Sequence, residues 1–143
     1  MHHENTNLLS EVSYAAKMGT DAIEILLPKI KNDGLRQELK DQRTQYRRMQ
    51  TEANTALARY QMRPKTVKPM QHMMLWSSIQ MNTMMNTSEQ HIAELMINGT
   101  TMGIIDMTKK LNALEHPNAD ERKLAQAFLN HSQDYIDMWK HYL

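Results

Sequence analysis

Apolar positions recur at steps of three and four along most of the chain, the period of an amphipathic helix. Over residues 6–32 the stripe is Leu8, Val12, Ala15, Gly19, Ile23, Leu26 and Ile30, which predicts a first helix. Asn5 or Thr6 can cap it. Pro28 removes the bond to the Glu24 carbonyl, so a kink or a loosened last turn is expected there. Asp33-Gly34 is the expected stop, with Gly34 suited to a left-handed cap. Over residues 35–62, Leu35, Leu39, Gln42, Tyr46, Met49, Ala53, Ala56 and Tyr60 alternate four and three, a heptad seam. The short connection makes these two helices antiparallel neighbours.

A proline-bounded linker, residues 63–69, follows. It leads into a methionine-rich stretch, residues 70–86. Met70, Met73, Met74, Met81, Met84 and Met85 share one side of a helix there, while Leu75, Trp76 and Ile79 take the other. Residues 87–114 form the stretch around which the chain is expected to be organised. Its broad face is Ile92, Ala93, Met96, Ile97, Thr100, Ile104, Met107, Leu111 and Leu114. Gly99 and Gly103 lie at the edge of that face. A helical glycine costs about 1 kcal/mol against alanine, so a close approach by another helix is expected at both.

A break near residue 86 is required by length. An unbroken helix over residues 70–114 would run about 67 Å at 1.5 Å per residue, against about 40 Å for the first two helices. Asn86 with Glu89, or Thr87 with Gln90, fits a capping box. Glu115-His116-Pro117 ends this helix. Asn118 with Glu121 opens a last one, with the stripe Leu124, Phe128, His131, Tyr135, Met138 and Tyr142. The expectation is a single all-α domain over residues 1–143: a four-helix bundle of two antiparallel hairpins, with a long crossover carrying a short Met-rich helix. A bundle with one long crossover is the ferritin-like arrangement.

Composition narrows the chemistry. With no cysteine, disulfides and thiolate sites are excluded. A net charge of +1 gives no general pull toward nucleic acid or anionic lipid. No apolar run reaches the roughly 18 residues of a membrane span, and the start MHHENTN has no signal-like apolar region. A cytoplasmic location is expected. Four glycines leave no phosphate-cradling loop, and no nucleophile elbow or HExxH stands in the chain. Arg36, Lys40, Arg43 and Arg47 form a basic stripe that reads as a solvated flank or as a phosphate ridge.

The run SEQHIAELMINGTTMGIIDMTKKL, with AAKMGTDAIEILLPKIK and the Met-rich crossover, resembles a group of small bacterial proteins of the ferritin-like bundle type. The resemblance covers nearly the whole chain. It implies the fold and carries no assigned chemistry.

Ferritin-like carboxylate proteins hold two metals through Glu and Glu-x-x-His positions. No glutamate here is followed three places on by histidine, so that signature is absent. Two pairs run the other way: His91 with Glu94, expected at the surface, and His131 with Asp134. His131 is read on the core stripe, either bonded to a neighbour or ligating. If iron, manganese or copper binds inside the bundle, His131, Asp134, Glu89 and Glu38 are the candidates. The methionines admit two readings, adaptable packing or thioether ligands for Cu(I). His72 stands among them but points away from the Met side. Met1-His2-His3 can chelate Cu(II), as short histidine tracts do incidentally. No resident cofactor is called for. The favoured expectation is a non-enzymatic bundle that forms a homodimer through Met70, Met73, Met74, Trp76, Met81, Met84 and Met85. A metal-binding or oxidoreductase bundle is the alternative, and a peptide- or lipid-surface module is a third.

Overall fold

The computed structural model describes residues 7–143. Those residues form five α-helices and no strand: α1 Leu8–Leu26, α2 Asp33–Arg59, α3 Pro69–Thr83, α4 Glu89–Ala113 and α5 Ala119–Lys140. The all-helical expectation holds. Asn5, Thr6 and Met1-His2-His3 lie outside the described residues.

Local chemistry sets the boundaries. The Asn7 side chain caps α1 by accepting from the Ser10 N–H at 3.1 Å. Pro28 ends the α-helix, and the chain tightens into a 3-10 turn over Leu27–Lys29, the loosened last turn expected there. Gly34 is not a left-handed stop, since no described glycine has positive φ. It lies in the first turn of α2, because Asn32 accepts from the Leu35 N–H at 3.0 Å and starts the new helix early. α2 closes on a Schellman motif. The Met62 N–H bonds back to the Leu57 carbonyl, the Gln61 N–H to Ala58, and Gln61 takes φ 58°. The break between α3 and α4 falls where length demanded it, but Ser88 is the cap, accepting from the His91 N–H. The Asn118–Glu121 capping box is present. Glu121 also accepts from the Leu8 N–H, which ties the starts of α1 and α5.

Contacts between helices give their directions. Ser13 on α1 bonds Asn54 and Glu24 pairs with Arg47, so α1 and α2 run antiparallel. Arg59 with Asp120 and Gln45 with Tyr135 make α2 and α5 antiparallel. His72 beside Asp21 and Gln80 beside Lys29 lay α3 parallel to α1. Lys110, late in α4, meets Glu11, early in α1, so α4 opposes α1. The order is up, down, up, down, up, with α3 as the crossover.

The organising element is α1, not the stretch over residues 87–114. α1 touches every other helix. Its predicted stripe is buried at Leu8, Val12, Ile23, Leu26 and Ile30, and a second side is buried too: Leu9, Ser13, Ala16, Thr20 and Asp21. On α2 the heptad seam is buried from Leu35 to Ala56, but Tyr60, past the last turn, is 47% exposed. On α4 only Ile92, Ala93 and Met107 are fully buried, because α1 and α5 cover part of a wide apolar face. On α5 the inward centre runs Ala125, Phe128, Ser132, Tyr135 and Trp139, so His131 and Met138 sit at its edge, half-buried.

The close helix approach expected at Gly99 and Gly103 occurs elsewhere. At either position a Cβ would meet no atom of another helix within 4 Å. At Gly19 a Cβ would meet the Tyr46 ring at 2.6 Å. The ring lies on the α1 backbone and packs edge-on against Tyr135, with centroids 5.2 Å apart.

Candidate functional site

α3 carries the chemistry that the bundle leaves unused. It is apolar on both sides, as its sequence suggested. Ile79 and Thr83 are buried and Leu75 is partly buried against the core. On the opposite side Met70, Met73, Met74 and Met81 are 66–74% exposed. Met84 and Met85, just past the helix, are 73% and 89% exposed, and Trp76 is 49% exposed. Packing in the chain's own core thus does not explain these six methionines, while it does explain Met49 and Met107, which are buried. Residues 69–88 contain no Asp, Glu, Lys or Arg.

Two contacts pin α3 to α1. Asp21 is 5% exposed and is held by Lys17 at 2.9 Å and by the His72 ring nitrogen Nδ1 at 3.2 Å. A carboxylate this buried is tolerable only because both oxygens have partners. Further along, Lys29 donates to the Gln80 side chain at 2.7 Å. Between these contacts lies an open groove of about 330 Å³ lined by Asp21, Glu24, Pro28, His72, Trp76 and Gln80 among others. Sequence periodicity missed Asp21 because it lies off the apolar stripe. The linker is fastened as well: Lys65 sits over the Tyr14 ring at 4.5 Å and its N–H donates to Ser10.

The four bundle candidates do not gather at one point. Glu38 is exposed on α2, and Glu89 is half-buried in the first turn of α4. Both act on Tyr142, whose phenol pKa is raised by burial first and then by these two charges. His131 stacks on Tyr135 at 6.2 Å between centroids. It lies eleven residues before Tyr142, about 16 Å along the helix. Asp134 is exposed. Among the described residues no three His, Cys, Asp or Glu side chains are grouped to hold a metal ion. His91 places its ring against the Asn82 carbonyl, bracing the α3–α4 turn, and Glu94 is exposed.

The basic stripe of α2 is partly structural. Arg36 donates to the Leu27 and Ile30 carbonyls at 2.6 and 3.1 Å, closing the end of the turn after α1. Arg47 pairs with Glu24. No described helix is long and apolar enough to cross a membrane. No protein-family model, curated protein or solved structure matches the chain.

Proposed function

We propose that the protein is a non-enzymatic, cytoplasmic, ferritin-like bundle that works by association, with a second copy of the chain covering the Met face of α3. The topology supports the ferritin-like part. The four long helices run up, down, down, up, and the crossover between the second and third carries α3.

The exposed Met face carries the association reading. The six methionines, 66–89% exposed, present on the order of 800 Å² of largely apolar surface. That exceeds the roughly 300–600 Å² of the largest patch on an ordinary monomer and matches the ~800 Å² each partner gives a standard interface. Interface cores are depleted in charge, and residues 69–88 have none. The same lack of Lys and Arg disfavours an anionic lipid surface. A two-fold contact of this face with itself desolvates no ion.

Sedimentation velocity and light scattering at micromolar concentration test the reading, with circular dichroism confirming helicity. Replacing Met73→Lys and Met81→Lys removes about 1.5–3 kcal/mol of burial each. The dimer dissociation constant should therefore rise about 100-fold or more. A clean monomer at every micromolar concentration overturns the reading, even if the chain then binds a helical peptide or vesicles.

A further inference from the structure

The exposed methionines repeat a spacing. Met70, Met73 and Met74 stand as Met-x-x-Met-Met, and Met81, Met84 and Met85 stand the same way eleven residues later. Eleven residues are about three helical turns, so both triplets fall on one side of α3. Met84, the C-cap, keeps right-handed helical angles, φ −59° and ψ −42°, which continues the helical path one residue past Thr83 and keeps Met84 on the side of Met81. Side chains at i, i+3 and i+4 are neighbours, with Cβ atoms about 5–6 Å apart. An unbranched thioether with three rotatable bonds can swing its sulfur toward a common point. At 66–89% exposure, none of the six is held in place by packing.

From this arrangement we propose that each Met-x-x-Met-Met triplet binds one Cu(I) ion through its three thioether sulfurs. Thioethers are soft and neutral and select Cu(I) over the hard ions that carboxylates favour. His72, the nearest imidazole in sequence, turns inward to Asp21, which leaves a sulfur-only set. No cationic side chain stands within residues 69–88 to repel the ion. Thioethers have no proton to lose in the physiological range, so affinity is flat with pH where thiolate or imidazole sites weaken. This inference rests on the exposure of the six side chains in the single chain; it draws on the same face as the association reading but does not require the dimer.

The test titrates the full chain with Cu(I) under ascorbate and without oxygen. It is read by native mass spectrometry and by competition with a chromophoric Cu(I) chelator. His2→Ala and His3→Ala remove incidental chelation at the chain start. One ion per triplet is expected, with the same affinity at pH 5 and pH 7. Met73→Leu with Met74→Leu abolishes the first site, and Met81→Leu with Met84→Leu the second. Leucine keeps the apolar surface and the helix, so these variants should sediment as the parent does. Copper loss without dimer loss is therefore a ligation result, whereas loss of the dimer in the lysine variants belongs to the association reading. No bound copper, copper retained in the leucine variants, or affinity collapsing at pH 5 each overturns the inference.

Discussion

At Gly19 a missing side chain sets the spacing of the first hairpin. The Tyr46 ring occupies the place a Cβ would take, and Tyr135 closes the far side of the ring. Alanine favours a helix by about 1 kcal/mol over glycine, but overpacking a held ring costs about 1–3 kcal/mol. Gly19→Ala should therefore lower stability in urea melts, while Gly99→Ala and Gly103→Ala should each raise it by about 0.5–1 kcal/mol. Equal effects at all three positions would contradict this packing. Gln61 is the other residue-scale oddity, a non-glycine in the left-handed region at the end of α2. The left-handed conformation costs an L-residue roughly 1–2 kcal/mol, so Gln61→Gly should raise the unfolding free energy read from urea melts by about 0.5–1 kcal/mol after glycine's added chain entropy, and with it the midpoint. A lower midpoint would show that the Gln61 side chain matters more than its backbone. Trp139 is wholly buried although its indole N–H has no partner among the described residues. Its ring area outweighs an unpaired donor worth about 1–3 kcal/mol.

At the scale of elements, the helices divide by how much neighbour each one has. α1 is covered on two sides and is the core of the fold. α3 is covered on one, held by Ile79, Thr83 and the polar contacts His72–Asp21 and Lys29–Gln80. The periods that predicted helices were sound, because Asn, Ser and Pro at the ends act on their own few residues. Caps slipped by one or two positions wherever several candidates stood in a row, from Asn5 or Thr6 to Asn7 and from Asn86 or Thr87 to Ser88. Asn86, Thr87 and Ser88 compete at the start of α4, and only the folded backbone decides that Ser88 reaches the His91 N–H. The site was legible in part. The Met face could be read from spacing, but its exposure depended on whether another helix covered it. Asp21 could not be read at all, since a carboxylate off the stripe looks solvated until α3 lies across it.

At the scale of the whole molecule, three buried or bridged groups make alkaline pH the weak side. Burial pushes the Tyr46 phenol up, and burial with the nearby charge of Asp134 and coupling to Tyr46 does the same to Tyr135. Burial lowers Lys110, but hydrogen bonds to Asp106 and Glu11 outweigh it and leave a net rise. In each case the folded state holds its proton more tightly than the unfolded chain. The stability they add is complete below their ordinary values near 10 and is lost as pH climbs past them. Urea midpoints should be level between about pH 8 and 9 and fall above about pH 10, and Tyr46→Phe should lessen the fall. A midpoint unchanged up to about pH 11 would contradict this.

The sequence alone determined the helical class, the number of long helices, the break before α4 and the Met side of α3, because these follow from local period, capping chemistry and chain length. Tertiary structure decided which helix became the hub, which glycine met a neighbour, and which polar groups were buried. Those depend on what lies across a face, and a face's partner is set by packing among helices distant in the chain. Gly19 and Gly99 are alike in sequence, both helical glycines near an apolar stripe. Only the first has a tyrosine resting on it.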